Sequence, residues 1–484
     1  MKKTLSLLLA VVMIVSLFAC IGGSALAAEE VPTVKWYMVG GGMPGNYDSW
    51  KEKVDAYLEE KIGVHLDVEC ISWGDWGSRR SVIVQTNEPY DIMFTDSGSY
   101  ASDVAMGAFA DLTDLLDEVP GLTDLIPEAY LQATEINGRR YAIPAYKDSS
   151  MTQFFVWTAE YVEDHPEYAD AHNMAEIGDV LRAVHEETGD VLMLNKDGIS
   201  AIVGNKYDNI GSGLPTLGVS YTSGENKIVA TFEQEDTLAD LRILHEYYTE
   251  GLVNPDAAVL NEATGMCALG VAQGWPSAAS GWGEGRGTPV VVTQMEETVL
   301  SNDTVQGSMA CISASSAHPV EALKVLELLN TDNWFRDAMA YGEEGVNFEY
   351  VEDAETGEVG VFKLNNDWTL AAYTQGTFFD MSLTATENED GTYTVPENYY
   401  VNEVMVQNEN ATASPALGFY FDQTPVADQI AACKAIWEEY KGMVQTGTGD
   451  PDETVADMMA AMRDEGFDDI VTEAQAQFDA WLAG

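Results

Sequence analysis

The sequence predicts an α/β protein that ends in a helical extension, and three observations carry this. Strand-like and helix-like segments alternate from Val31 to Phe94. Two hairpin signals interrupt the later region, at Glu355-Thr356-Gly357-Glu358 and Glu389-Asp390-Gly391-Thr392. Past Pro425 the apolar spacing stays helical to the end. A β-α-β-α-β order favours a parallel sheet covered by helices, and Asp-Gly or Thr-Gly between alternating residues favours hairpins.

Residues 31–39 form the first strand, followed by a glycine loop and a helix over 47–61. Residues 64–71 alternate as the next strand, and 78–85 begin a helix. Residues 91–94 are a short apolar strand that opens into Thr95-Asp96-Ser97-Gly98. An apolar helical patch at 108–116 turns Asp111 and Asp114 outward, and 138–144 is a tight turn feeding a strand that Pro144 stops. Residues 151–158 are apolar and aromatic, 176–187 and 237–251 are helical, and 318–329 is a helix opened by Pro319. Between them, 261–293 is rich in Gly, Trp and Ser with an apolar strand at each end. Asp450-Pro451-Asp452 starts a late helix and Gly466 breaks it.

The N-terminus reads as an export signal. Lys2 and Lys3 precede an apolar run over 5–18 that is too short to span a bilayer comfortably. Two cleavages compete: Ala25-Leu26-Ala27 has the small-x-small form, giving a signal peptide over 1–27, and Leu17-Phe18-Ala19-Cys20 has the form of a lipobox that would lipidate Cys20. The remainder is long enough for two large cores. With 80 acidic against 23 basic residues and a net charge of −57, the surface repels nucleic acid and anionic lipid. Cys70, Cys267, Cys311 and Cys433 lack C-x-x-C spacing and read as small buried hydrophobes, with a Cys267–Cys311 disulfide left open.

The segments N-E-P-Y-D-I-M-F-T-D (87–96), M-G-A-F-A-D-L-T-D-L-L (106–116) and E-I-N-G-R-R-Y-A-I-P (135–144) resemble, in order and spacing, the extracellular solute-binding proteins of ABC importers, family 1. Residues 315–332, 341–347, 418–426 and 473–482 are similar to the larger, lipoprotein-type members with a C-terminal extension. The resemblance implies a periplasmic-binding-protein-like fold of type II: two α/β lobes joined by hinge strands, with solute held between them. On that pattern 28–148 begins the N-lobe, 149–260 begins the C-lobe, 261–315 returns to the N-lobe, and 316–484 completes the C-lobe and carries the extension. It further implies a monomeric carbohydrate binder outside the cytoplasmic membrane, without cofactor or chemistry of its own, serving the transmembrane permease of an importer.

Candidate site residues follow from chemistry. A sugar offers an apolar C–H face to flat aromatic rings and a belt of hydroxyls to polar side chains. Trp73 and Trp76 come directly after the second strand, and Trp275 and Trp282 sit among glycines, whereas Trp157 and Trp437 lie in periodic apolar segments and read as core. Asp96 and Ser97 end the third strand, and Tyr146, Lys147 and Asp148 follow the hinge-approach strand. Arg286 is a rare cation suited to clamping hydroxyls or a carboxylate, with Glu284 as the alternative partner. Met43, Asn46 and Tyr47 follow the first strand, and Tyr373 and 419–421 are weaker candidates.

The competing chemistries are poorly supplied. Gly40–Gly45 satisfies G-x-G-x-x-G, but Pro44 removes a backbone N–H and the helix starts too late for a dinucleotide. No H-E-x-x-H or G-x-S-x-G occurs. Lys196 and the missing downstream acids argue against calcium at 195–198. So many carboxylates single out no glycosidase pair, which leaves a secreted carbohydrate-active enzyme or a surface glycan-binding protein as the alternatives.

Overall fold

The computed structural model describes residues 31–484 except 166, 169–170, 194–197, 261–266, 371–374, 378 and 380. The signal segment with Cys20, residues 195–197 and Tyr373 therefore lie outside the described residues. The principal strands, in chain order, are β1 (Thr33–Gly40), β2 (His65–Ser72), β3 (Ile92–Thr95), β4 (Ala142–Pro144), β5 (Met151–Thr158), β6 (Leu269–Gln273), β7 (Val290–Leu300), β8 (Met309–Ile312) and β9 (Thr412–Ala413).

They form two sheets. The first has the order β2-β1-β3-β8-β4. β1 runs parallel to β2, from Thr33 opposite His65 to Gly40 opposite Ser72, and parallel to β3. β8 is antiparallel to both its neighbours, with Met309 opposite Thr95 on one side and Pro144 on the other. The sheet is thus mixed: the expected parallel strands are there, joined by an antiparallel strand contributed from far along the chain. The second sheet, β6-β5-β7-β9, is antiparallel across its first three strands.

Strand periodicity divides the first core. Val34, Trp36 and Met38 face one side of β1, and Tyr37 and Val39 face the other, so both faces are buried under helices. The helix Tyr47–Ile62 lays Trp50, Val54 and Leu58 on that core at i, i+4 spacing. Its Gly63, at φ 70°, returns its N–H to the carbonyls of Leu58 and Glu59. Each of those three side chains contributes about 2 kcal/mol by leaving water.

Several assignments shift. The 108–116 patch is irregular, with Phe109 bridging to Ser313 and a turn at 113–115, although Leu112 and Leu116 are buried. Residues 269–300 stay with the second sheet, and β8, at Met309–Ile312, is the strand of that region that returns to the first, so the return expected at 261 comes about fifty residues late. The helices Pro319–Thr331 and Asn333–Tyr341 pack on the first lobe, where Leu323, Leu326, Phe335 and Met339 join Leu58 and Leu122. Amphipathic spacing states that a helix covers a core, not which core. Only the chain beyond Thr412 completes the second lobe: Cys433, Trp437, Met458, Met459 and Phe478 close over Phe232 and Leu244. Both hairpins form, pairing Phe348–Glu352 with Val359–Lys363 and Thr386–Glu387 with Tyr393–Thr394.

Among the described residues the chain passes between the sheets three times: from β4 to β5, from β7 to β8, and from the helix over 400–410 to β9. Buried asparagines stitch these crossings. Asn408 accepts from the N–H and hydroxyl of Ser150 at 3.1 and 2.8 Å and donates to the carbonyl of Lys147. Asn302 accepts from the N–H of Gly418 at 2.8 Å and donates to the carbonyl of Phe419 at 2.7 Å.

Candidate binding cleft

Register fixes where the site lies. β1 and β2 end side by side at Gly40 and Ser72, and β3 ends at Thr95 opposite Met309, where the second crossing enters the sheet. Pro144, the exit of the first crossing, is also opposite Met309. The loops after β1, β2 and β3 therefore share one sheet edge with the crossings to the other lobe. In the second sheet, Gln273 at the end of β6 is opposite Gln153 near the start of β5, so the turn carrying Trp275 lies at its crossing-facing edge. Ligands in α/β sheets sit outside such strand ends.

Trp73 occupies the first of these edges. It is 49% exposed and stands edge-on to Phe94, with ring centroids 5.9 Å apart. The helix expected from 78 begins earlier and runs from Trp73 to Thr86. The signal was Ser72-Trp73-Gly74-Asp75, in which the Ser72 hydroxyl accepts from the N–H of Asp75 and donates to its carboxylate. That helix turns Trp76 inward. Trp76 is 5% exposed and packs on Phe94 in the core, so it offers no ring to a ligand.

Asp96 is half-buried, and its carboxylate accepts from the N–H of Gly98 at 3.1 Å and the hydroxyl of Ser99, while Ser97 is exposed. Ser97 lines a cleft of about 510 Å³ together with Ala101, Gln306, Tyr420, Gln423 and Lys434. Lys147 and Asp148, joined as an ion pair, line a second space of about 300 Å³ with Gln273, Asp303 and Ser308. Asp303 borders both spaces, so they flank the second crossing. Burial raises its carboxyl above the usual range. Behind it Asp208 is buried, pushed up to about 6 by loss of hydration and by the Asp303 charge.

Trp275 is half-buried and stacks almost parallel on Tyr399, with centroids 6.2 Å apart, and its ring N–H is buried without a hydrogen-bond partner. Tyr399, Tyr400 and Glu403, which meet this turn, come from the extension and carried no recognisable sequence signal beyond an adjacent pair of tyrosines.

Other candidates serve the scaffold. Trp282 lies in a helix, Ala278–Arg286, where three glycines had suggested a loop. Its ring covers Gly274, where a Cβ would come within 2.7 Å of it, and meets Phe154 at 6.0 Å. Arg286 lies over Gly270 and donates to the carbonyl of Val156, not to Glu284. Tyr146 is 4% exposed, wedged between Tyr130 and Phe379. Asn46 donates to Asn347 in the extension, and the Tyr47 hydroxyl accepts from the N–H of Val68. Phe419 and Phe421 are core residues. The Gly40–Gly45 loop is no phosphate cradle: the N–H of Gly41 donates to the carbonyl of Thr369 at 2.9 Å, and the Thr369 hydroxyl donates to Gly42.

Cys70, Cys267, Cys311 and Cys433 are all free; Cys311 sits in the first sheet and Cys267 beside the second, which removes the disulfide alternative. Among the described residues, no group of three His, Cys, Asp or Glu side chains is placed to hold a metal ion, and no helix is long and apolar enough to cross a membrane.

Comparison with known proteins places this geometry. A carbohydrate ABC transporter substrate-binding protein of Streptococcus pneumoniae is 26% identical over 95% of this chain and 94% of its own length. Lipoprotein LipO of Bacillus subtilis is 25% identical over 43% of this chain and 42% of its own. The N-glycan transport solute-binding protein NgtS of S. pneumoniae, 25% identical, superposes with a TM-score of 0.80 over 94% of this chain and 99% of that one. Its complexes with Man1GlcNAc and Man5GlcNAc superpose at 0.70 and 0.67. Residues 415–483 match a domain described as of unknown function. The profile of the bacterial extracellular solute-binding proteins matches residues 40–334, most of the chain, and the protein belongs to that family.

Proposed function

We propose that this protein captures an oligosaccharide between its lobes and delivers it, chemically unchanged, to the permease of an ABC importer. The reading rests on placement: Trp73 stands half exposed on the crossing-side edge of the first sheet, and the turn carrying Trp275 lies on that of the second, its ring meeting Tyr399. Flat rings at these two edges cover the C–H faces of a sugar chain, and the remaining contacts form as the lobes approach. Asp96, Ser97, Lys147 and Asp148 supply hydroxyl partners along the same edge. Closure then follows from differential affinity, because the closed state makes both sets of contacts and the open state one.

The fall in superposition from 0.80 to 0.67 between NgtS described without a ligand and NgtS with Man5GlcNAc supports this reading. Identity and coverage hardly change across those comparisons, so the difference is one of shape. The glycans bound in the NgtS complexes support sugar as the cargo, and N-glycan fragments as the first to test. The protein works outside the cytoplasmic membrane as a monomer, either released after Ala27 or held by a lipid on Cys20.

The test is titration of the protein with Man5GlcNAc and a panel of other glycans, followed by small-angle scattering and mass spectrometry of the recovered ligand. A saturable heat, a smaller radius of gyration on binding and an intact glycan are expected. Cleaved glycan would make the protein an enzyme and overturn the proposal. A radius that does not change with bound ligand would remove the hinge.

A further inference from the structure

The turn that carries Trp275 belongs to the second lobe by sequence, since the N–H of Gly274 donates to the carbonyl of Thr152 in β5. Its other end is fastened to the first lobe. Glu403 takes Ser277 in a two-pronged grip: one carboxylate oxygen accepts from the Ser277 N–H at 2.7 Å, the other from its hydroxyl at 2.6 Å. The helix bearing Glu403 is anchored in the first core through Val404, which is fully buried, and Met405. The same helix supplies the rings around the tryptophan. Tyr399 stacks on Trp275 with planes 10° apart, Tyr400 meets it at 6.1 Å, and the two tyrosines touch each other at 4.3 Å.

Tyr400–Met405 is wound as a π-helix before the chain resumes α-helix at Val406–Asn410. This widened turn is rare and costs backbone geometry. Here it accompanies the presentation of Tyr399, Tyr400 and Glu403 to a single four-residue turn of the opposite lobe. Further along the helix, Asn408 clamps the first crossing. One extension element therefore holds both the hinge and the aromatic ring at the cleft edge.

We propose that Glu403 is a positioning residue for Trp275. By holding both polar groups of Ser277 it fixes the turn, and with it the tilt of the indole between Tyr399 and the gap. Two charge-assisted hydrogen bonds from one carboxylate restrain orientation as well as distance. The consequence for ligand capture rests on the reading of the cleft given above: a ring held before the ligand arrives costs less ordering entropy on binding. The extension, from this viewpoint, sets which sugar face the second lobe presents.

The experiment compares the full-length mature protein with Glu403→Ala, Glu403→Gln and Ser277→Ala. Acrylamide quenching attributable to Trp275 is obtained by subtracting the same variant in a Trp275→Phe background, without glycan. Hydrogen exchange at the Ser277 amide and the affinity for Man5GlcNAc are measured alongside. Glu403→Ala should raise the Trp275 quenching constant two- to threefold, speed Ser277 exchange more than tenfold, and weaken glycan binding at least fivefold. Glu403→Gln keeps an acceptor for Ser277 and should restore most of each. Unchanged quenching and exchange in Glu403→Ala overturn the proposal, whatever happens to the glycan. Loss of Man5GlcNAc binding in Trp275→Phe supports the cleft reading, and unaltered binding defeats that reading separately, because the quenching arm needs no sugar.

Discussion

Replacing Trp73 and Trp76 one at a time separates the cleft from the scaffold, because three residues apart the two rings meet opposite fates. Trp73 is 49% exposed and Trp76 is 5% exposed, although both lean edge-on against Phe94 at 5.9 and 5.6 Å. An indole side chain has on the order of 250 Å² of surface, so roughly half of it is open at Trp73. A pyranose covering one face removes about 60 Å² of ring and a similar area of its own C–H surface from water, worth about 3 kcal/mol at 25 cal/mol per Å². Ordering the two partners returns about 1 kcal/mol. Trp73→Ala should therefore weaken glycan binding by about 2 kcal/mol, roughly 30-fold, and shift the urea midpoint little. Trp76→Ala empties a core site and should cost about 3–5 kcal/mol of stability, with affinity preserved wherever the protein remains folded. Calorimetric titration with Man5GlcNAc and urea unfolding on the same preparations read both quantities. Undiminished affinity in folded Trp73→Ala, joined to a loss in folded Trp76→Ala, would refute the assignment of the outer ring to the cleft.

Three other experiments probe the hinge, a buried acid and the free thiols. Asn408→Ala strands the N–H and hydroxyl of Ser150, while the carbonyl of Lys147 keeps the N–H of Ser149; at about 1–3 kcal/mol for a buried unpaired group, urea unfolding should show a loss of about 2–4 kcal/mol, and scattering should show a broader spread of lobe angles. Asp208 holds its proton to about pH 6 when folded, against 3.8 for the ordinary side chain. A raised carboxyl pKa means that stability falls as pH climbs from about 4 to about 6 and then levels, a loss of about 3 kcal/mol. Asp208→Asn keeps the acceptor for the N–H of Ile210, 2.8 Å away, so it should flatten that part of the stability–pH profile and be more stable than the parent at pH 7.5; an unchanged profile would show that the carboxylate is solvated. Finally, Cys267 is half-buried whereas Cys70, Cys311 and Cys433 are buried, so in a protein starting at Ala28 a thiol reagent should label Cys267 first and reach all four only on unfolding.

The parts of this protein that sequence determined are those governed by local rules. The largely apolar run V-K-W-Y-M-V within Thr33–Gly40 marked the first strand, and the segment over 47–61 the helix after it. The turn chemistry at 355–358 and 389–392 placed both hairpins, and the order of the motifs around 87–144 pointed to the family. Tertiary structure decided what local rules leave degenerate. An amphipathic helix such as Pro319–Thr331 carries the same pattern whichever core it covers, so its lobe was settled by packing against Leu58 and Leu122. A glycine-rich segment satisfies loop and helix alike, and Ala278–Arg286 became helix where Trp282 presses on Gly274 and Arg286 on Gly270. Trp73 and Trp76 are equivalent by composition and differ only because a capped helix turn aims one outward and one inward. The grip of Glu403 on Ser277, 126 residues apart in the chain, exists only once two lobes have folded against each other, since long-range polar contacts leave no periodic trace in the sequence.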